Sequence, residues 1–512
     1  MDILGRIEQY ADLFGERDAF RSTAGTVTYG ELWQKSGILA SAIETLMGND
    51  RSPLIVYGHK DPMMIICFLA CARSGRAYCP VDTSLPPERL GYIRTIIGDP
   101  LLLSAEKGTG PLLQDECHIL QYEEIERIIA ANNCSPVPDP CSGEDLYYII
   151  FTSGTTGAPK GVKITTNNLN HYLEWAVTLA GGICENAVFL NQAPYSFDLS
   201  VMDLYLSLAT GGTVVSVDSK LQKDIGKLLA FFADQEITYW ISTPSFADMC
   251  LADKRFDESV LRSMKAFLFC GEPLANETAL SLIRRFPDTK VVNTYGPTES
   301  TVCVTEVCVT EKMAAGTDPL PVGKVKPGTK IVLDPANSEI IIIGDTVSPG
   351  YYKQPELTSQ TFYTVYPTNL FPRTDHHPDT ARDGVRAYRT GDKGHFDEHG
   401  YLYCDGRLDG QIKLHGYRIE IGDIEANLAG VPGIRRGAVA PRERAGKIDS
   451  LTAFIVRDGD LLPDDYSGRK AVRSALREKM PAYMVPKRIL FVDELPITNN
   501  GKLDRNRLKE MA

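Results

Sequence analysis

Residues 151–161 read FTSGTTGAPKG, a stretch where glycines, hydroxyl side chains and a lysine crowd together. Gly154 and Gly157 let the backbone bend so that successive N–H groups point into one concavity, and Thr152, Ser153, Thr155 and Thr156 add hydroxyls around it. Such a concavity suits a polyphosphate. Lys160 supplies a movable cation for phosphates that must be gripped and then released. The Walker pattern is not met, because Pro159 stands where the glycine before the lysine belongs and Gly161 replaces the following Ser or Thr. The same composition also makes an ordinary surface turn, so the loop alone leaves both readings open. Four further stretches carry chemistry-bearing residues. Residues 293–299, NTYGPTE, set an amide, a ring and a carboxylate around a Gly-Pro turn, and residues 388–392, YRTGD, end in an acid after a tight turn. Residues 406–420, GRLDGQIKLHGYRIE, are densely charged, and residues 499–502, NNGK, present a lysine on a flexible turn. Taken singly, NTYGPTE also reads as a β-turn, and YRTGD or NNGK as a hairpin tip.

These groups need a scaffold. The apolar run 146–150 reads as a buried strand entering the glycine-rich loop. From residue 1 to about 145, helical patterns alternate with short apolar strands such as 54–57, as in a parallel α/β sheet. Residues 135–143, rich in Pro, Ser and Asp, read as a linker. The alternation resumes between 168 and 290, with strands near 187–190, 238–241 and 266–269, each followed by a polar loop. In open parallel sheets ligands collect beyond the carboxyl ends of strands, so those loops are where chemistry is expected. Beyond residue 320, strands at 330–333, 339–343 and 401–404 among many Gly and Pro predict a smaller β-rich subdomain, with 364–386 as a long surface loop. After residue 406 a last α+β unit is expected.

At 512 residues the chain is too long for one compact core, so at least two domains are expected. Its 54 Lys plus Arg against 66 Asp plus Glu give a net charge of -12, which excludes a global basic field for nucleic acid. Any phosphate site must therefore be local. The 12 cysteines are scattered without CxxC spacing and no secretory leader precedes them, so reduced thiols in a cytoplasmic protein are expected. The N-terminal residues MDILGRIEQYADLF have helical spacing. The longest apolar run, 63–72, is too short to span a bilayer, so no membrane insertion is expected. His376 and His377 lie in a Pro- and Asp-rich loop without further ligands at suitable spacing, and no transition-metal site is expected there.

In their order, these motifs resemble the adenylate-forming superfamily of acyl-CoA synthetases, luciferases and peptide-synthetase adenylation domains. The similarity runs from TYGEL at 28–32, through GRAYCPVD at 75–82, to AYMVP at 482–486 and Lys502, nearly the whole chain. The resemblance implies a large N-terminal domain, 1–408, of parallel-sheet α/β subdomains plus a β-rich subdomain, and a small mobile α+β domain, 409–512, hinged at Asp409. It implies a ligase that joins a carboxylate to the α-phosphate of ATP, with Mg²⁺, and then passes the acyl group to a thiol. By the same resemblance, Thr152, Ser153, Gly154, Thr155, Thr156, Gly157 and Lys160 hold the β- and γ-phosphates, and Glu299 with Thr156 holds Mg²⁺. Asp392 accepts the ribose hydroxyls, Asn293 and Tyr295 flank adenine within a turn completed by Thr294, Gly296, Pro297 and Thr298, and Arg407 contacts the ribose or phosphate edge. Lys502 is implied as the catalytic residue of adenylation, between the carboxylate and the α-phosphate, where its charge counts most once water is excluded.

Residues 191–205, NQAPYSFDLSVMDLY, bear on which carboxylate. Asp198 stands where amino-acid-activating members carry an acid for the substrate ammonium, although an aspartate there also suits a cap for a helix starting at Ser200. Leu199, Met202, Leu268, Cys270, Thr294 and Val302 map to the rest of the pocket, with Met202 and Leu268 leaving room for little more than a methyl. Together with FLFCGEPL at 267–274 and QIKLHGYRIE at 411–420, this stretch looks like the ligases that load D-alanine onto a carrier protein for teichoic acid and cell-wall alanylation. In that group a cysteine at the position of Cys270 lies against the substrate α-carbon and favours the D-enantiomer; a buried small apolar residue is the other reading. With ten residues after Lys502, the phosphopantetheine thiol is expected on a separate acidic D-alanyl carrier protein, less so on coenzyme A, and a monomer is expected. A free-standing peptide-synthetase-type enzyme for another small amino acid is the alternative. An acyl-CoA synthetase or a non-catalytic nucleotide sensor is disfavoured by Asp198, and by Lys502, Glu299 and Asp392, respectively.

Overall fold

The computed structural model describes residues 1–98, 101–108, 118–135, 137, 139–153, 159–366, 384–408, 411–414, 417–444, 447–459, 461–463, 466–497 and 503–512. They fall into two compact units. Met1–Asp82, Ile97–Ile150 and Gly161–Gly406 form the first; Thr83–Ile96, Phe151–Lys160 and Arg407–Ala512 form the second.

Helix starts in the first unit follow from local chemistry. Thr28 Oγ1 accepts from the Glu31 N–H at 3.3 Å while Glu31 Oε2 accepts from the Thr28 N–H at 3.1 Å, a reciprocal box that opens the helix Tyr29–Met47. Thr165 and Asn168 form a second box ahead of the helix Thr166–Ala176. Asp61 caps the helix Pro62–Arg73, whose first residue is a proline that has no N–H to leave unsatisfied. The longest apolar run lies in this helix and is buried along its length. Among the described residues, no helix is long and apolar enough to cross a membrane.

Among the described residues one sheet has nine strands, in the order Lys324–Val325, Thr305–Val309, Lys290–Tyr295, Ala266–Phe269, Tyr239–Ser242, Val188–Asn191, Thr213–Ser216, Asp18–Ser22, Gly25–Thr28. Pairing is parallel from Lys290–Tyr295 through Asp18–Ser22 and antiparallel at both margins. The register sets Ser216 beside Asn191, Asn191 beside Ile241, and Phe269 beside Asn293. The segments that follow Asn191, Phe269 and Asn293 therefore leave the sheet along one edge, as the strand-end rule requires. A second sheet runs Ile119–Leu120, Leu102–Ser104, Leu54–Tyr57, Tyr78–Val81, Leu146–Thr152, Lys160–Thr165, parallel as far as Leu146–Thr152.

The β-rich part is a third sheet in the order Thr329–Leu333, Glu339–Gly344, Val385–Phe396, Phe362–Val365, with Leu402–Arg407 also on Val385–Phe396. Here the sequence reading needs correcting. Tyr388 to Asp392 do not follow a tight turn; they lie inside the long strand Val385–Phe396. Glu339 pairs with Lys393 and Ile341 with Arg389, so the longer strand bulges between them, and Gly391 takes the positive φ, 72°, that the bulge demands. Of the expected surface loop 364–386, Thr364 and Val365 end the strand Phe362–Val365, Val385 and Arg386 begin the strand Val385–Phe396, and 367–383 lie outside the described residues.

The second unit has its own α+β core. Ile434–Arg444 pairs antiparallel with Lys447–Arg457, which pairs parallel with Arg488–Phe491. The helices Ile421–Ala429 and Tyr466–Lys479 place Ile424, Leu428, Val472 and Leu476 among Val439, Ala453, Ile455 and Ile489. A contiguous apolar cluster of this kind is what lets a body of this size hold together. Asp409 lies outside the described residues.

Candidate active site

The carboxyl edge of the nine-stranded sheet gathers most of the first unit's candidate residues. After Asn191 the chain crosses to the helix Leu199–Thr210, at whose N-cap position stands Asp198. The helix begins one residue before Ser200, and Asp198 makes no side-chain capping bond, its own φ and ψ of -65° and -20° being already helical. The capping reading of this aspartate is thereby set aside. Burial pushes the Tyr148 phenol well above its ordinary range and the Asp198 charge pushes the same way, which brings Tyr148 into the surroundings of that carboxylate. Leu199, Met202, Leu268, Cys270 and Val302 all belong to one contiguous buried apolar cluster. The Cys270 thiol donates to the Val302 carbonyl at 3.8 Å, and Thr294 Oγ1 donates to the Phe269 carbonyl at 2.8 Å, which ties adjacent strand ends together. Thr301 and Val302 both have positive φ, 60° and 69°. For a β-branched residue that conformation is strained, and strain of this kind gathers where a loop must hold a ligand.

The strand Lys290–Tyr295 brings NTYGPTE to the same edge. The Tyr295 hydroxyl donates to Asp392 Oδ2 at 2.7 Å, and both residues are buried. Asp392 is further located by its N–H on Thr390 Oγ1 at 3.0 Å. Asn293 Nδ2 donates to the Pro321 carbonyl at 2.8 Å, which fixes the amide face. Gly296 leaves no choice of residue: a Cβ there would lie 2.5 Å from Cys303 Cα. Pro297 leads into the single turn Thr298–Ser300, in which Glu299 is fully buried and its Oε1 accepts from the Tyr351 hydroxyl at 2.9 Å. Among the described residues no group of three or more His, Cys, Asp or Glu could hold a metal ion.

In the second unit, Ser153 and Lys160 are buried at either end of the glycine-rich loop, and Thr152 Oγ1 is a buried hydroxyl without a partner among the described residues. Gly154, Thr155, Thr156 and Gly157, like Lys502, lie outside the described residues. Arg407 closes the strand Leu402–Arg407 and is half-buried.

Residues 7–352 match the family described as AMP-binding enzyme, and residues 423–502 match its C-terminal domain. The chain belongs to the AMP-binding enzyme family. Among its relatives are proteins named D-alanine--D-alanyl carrier protein ligase: one from Bacillus cereus, 40% identical over 520 residues and 99% of both chains, and one from Listeria welshimeri, 39% identical over 522 residues, 99% of this chain and 98% of the relative. A solved NRPS protein containing adenylation and PCP domains, bound to a vinylsulfonamide inhibitor, superposes with a TM-score of 0.82 at 27% identity, covering 99% of this chain and 84% of that one. The o-succinylbenzoate CoA synthetase of Bacillus subtilis has the same fold, with a TM-score of 0.82 at 20% identity over 99% and 98% of the two chains.

In this AMP-binding enzyme, several residues that interact with the candidates or with their neighbours are not among those the sequence singled out. Tyr148 sits in the strand that feeds the glycine-rich loop, where it reads only as one more buried strand residue. Tyr172 lies 3.9 Å from the Cys303 sulfur, and burial pushes both groups well up, with Cys270 adding to the effect. Cys303 follows NTYGPTE closely, which is the one local signal that could have marked it. Tyr351, the partner of Glu299, carries no such mark.

Proposed function

We propose that this chain activates D-alanine as D-alanyl-AMP and then loads it onto the phosphopantetheine thiol of a separate acidic D-alanyl carrier protein, in the cytoplasm, for D-alanylation of teichoic acids. The observation that carries the reading is full-length similarity, at 39 to 41% identity, to D-alanyl carrier protein ligases. Asp198 at the head of the helix Leu199–Thr210, together with the burial of Leu199, Met202, Leu268, Cys270 and Val302 in one apolar cluster, supports it.

In the first half-reaction an oxygen of the D-alanine carboxylate bonds to the α-phosphorus of ATP while the bond to the bridging oxygen breaks, and pyrophosphate leaves with the electron pair. Asp198 pairs with the substrate ammonium, Met202 and Leu268 limit the side chain to about a methyl, and Cys270 lies against the α-carbon. Asp392, oriented by Tyr295 and Thr390, receives the ribose hydroxyls, and Asn293 stands by adenine within the turn of Thr294, Gly296, Pro297 and Thr298. Thr152, Ser153, Gly154, Thr155, Thr156, Gly157 and Lys160 cradle the outer phosphates, with Arg407 at the ribose or phosphate edge. Glu299, a buried carboxylate with one oxygen held by Tyr351, suits Mg²⁺, which takes one or two carboxylates plus substrate phosphates; Thr156 would share it. When bound, that cation neutralises charge on the phosphates. Lys502 bridges the two reacting anions. In the second half-reaction the small domain, 409–512, turns about Asp409, the thiol attacks the acyl carbon, and AMP leaves.

Pyrophosphate exchange with a panel of D- and L-amino acids tests the reading. D-alanine is expected to exchange fastest, with glycine, D-serine and D-2-aminobutyrate leaking through, because an apolar pocket discriminates one methylene by only about 1–3 kcal/mol. Fastest exchange with another amino acid would instead identify a peptide-synthetase-type enzyme, and release of a CoA thioester an acyl-CoA synthetase.

A further inference from the structure

Beneath the segment that carries Asp198, polar side chains from distant parts of the chain meet in the core. Lys60, which precedes the helix Pro62–Arg73, is 3% exposed; its Nζ donates to the Asn191 side-chain oxygen and to the Ala193 carbonyl at 2.5 Å, and lies 4.4 Å from the centroid of the Tyr195 ring. Asn191 ends the strand Val188–Asn191, and its amide donates to Asp203 Oδ1 at 2.7 Å. Ser216, on the neighbouring strand, donates from Oγ to Asn191 Oδ1 at 2.7 Å. Asp203 is on the helix Leu199–Thr210, fully buried, and its Oδ2 has no partner among the described residues.

Burying an ammonium and a carboxyl disfavours folding, and well-packed hydrocarbon in their place is often at least as stable. Burial pushes Lys60 down to about 8 against the pull of Asp203 and Asp82, and pushes Asp203 well up against Lys60 and Asn191. An arrangement that disfavours folding, placed under one particular loop, serves that loop. Its geometry shows how. Lys60 grips the start of the crossing segment at Asn191 and Ala193, and through Asn191 it grips the helix that follows Asp198.

We propose that the Lys60–Asn191–Asp203 chain positions Asp198, so that Lys60 and Asp203 are positioning residues for the amino-acid substrate. The inference rests on the reading of Asp198 as the ammonium anchor. With Lys60 replaced, the entry to the helix relaxes and the carboxylate drifts from the place the ammonium occupies; nucleotide contacts, made by Tyr295 and Asp392, stay as they are. A displacement of about 1 Å costs up to about 100-fold in such constellations.

The test is pyrophosphate exchange on the full-length enzyme, with KM measured separately for amino acid and ATP. Lys60→Met and Asp203→Leu are each expected to raise the amino-acid KM about tenfold or more with the ATP KM within about twofold. Asp203→Asn, which keeps an acceptor for the Asn191 amide, is expected to stay within about threefold of the native amino-acid KM. If Lys60→Met and Asp203→Leu do not accumulate as folded protein, Ser216→Ala decides, because it takes only one hydroxyl from Asn191; an amino-acid KM raised about threefold supports the proposal and an unchanged one overturns it. Amino-acid and ATP KM rising together, or an amino-acid KM unmoved in Lys60→Met, would also overturn it. Asp198→Asn runs alongside. If it leaves the amino-acid KM unchanged, the anchor reading fails and this inference falls with it; if it raises that KM while Lys60→Met does not, only the positioning role fails.

Discussion

Tyr295 and Asp392 are 97 residues apart in sequence, yet the phenol donates to the carboxylate across 2.7 Å in a buried setting. One hydroxyl thus orients the acid, and under the proposed function the same ring gives adenine a surface while the acid receives the ribose. Tyr295→Phe keeps the ring and deletes the donor. A hydrogen bond to a charged group is worth about 1.5–3 kcal/mol, so the KM for ATP should rise about tenfold or more while that for D-alanine stays within about twofold. Pyrophosphate exchange at varied ATP reads both.

Cys270 is buried and its thiol sits against the Val302 carbonyl at 3.8 Å. Removing the sulfur opens a small space where the α-carbon of the substrate is expected. Cys270→Ala should therefore narrow the preference for D- over L-alanine by about tenfold, the order of discrimination a small apolar contact provides. An unchanged ratio in exchange assays with the two enantiomers would place the cysteine in the core rather than at the substrate.

Lys60 offers a pH test independent of catalysis. Its folded pKa, about 8, lies below that of an unperturbed lysine, because burial strips water from the ammonium while Asp203 and Asp82 oppose the shift. Between about 8 and about 10.4 the unfolded chain therefore holds a proton that the folded chain has released. Stability gains from this group as pH rises through that window, and the penalty of the buried charge is fully present below it. Urea midpoints of native protein and Lys60→Met, compared from pH 7 to pH 10, should show the difference between them moving in favour of the native chain.

Lys502→Ala should abolish adenylate formation while thioester formation from preformed D-alanyl-AMP continues at a comparable rate. Under the proposed function the lysine would act on charge that develops only when two anions meet, and the second step lacks that encounter. Equal loss in both half-reactions would remove Lys502 from this role.

Much of the fold is legible in the chain itself. The runs 54–57 and 266–269 are strands with those limits, because side-chain periodicity and length act over a few residues; the apolar stretch 63–72, read only as too short to span a bilayer, is a buried helix. Asp198 was marked only by the resemblance, which sets an acid at this position; the structure adds that it stands at the N-cap position of a helix without a side-chain capping bond. The segment 388–392 was not legible. Its Gly-Asp pair looks like a turn, but Gly391 serves a bulge inside a strand, and only the partner strand with Glu339 and Ile341 reveals that. Tyr351, in VSPGYYKQ, and Tyr172, in NNLNHYLEW, were equally hidden, since a tyrosine has the same local signature whether its hydroxyl meets a carboxylate, a thiol or nothing.

By itself, then, the sequence determined the succession of strands and helices, the polar loops at strand ends and membership of a family of AMP-binding enzymes. The tertiary structure decided which polar groups meet: Tyr295 with Asp392, Tyr351 with Glu299, and Lys60 with Asn191 across 131 residues. Backbone geometry imposes its periods locally, whereas pairings at such range depend on sheet register and on the path of each crossover, where a slip of one residue turns a side chain to the opposite face.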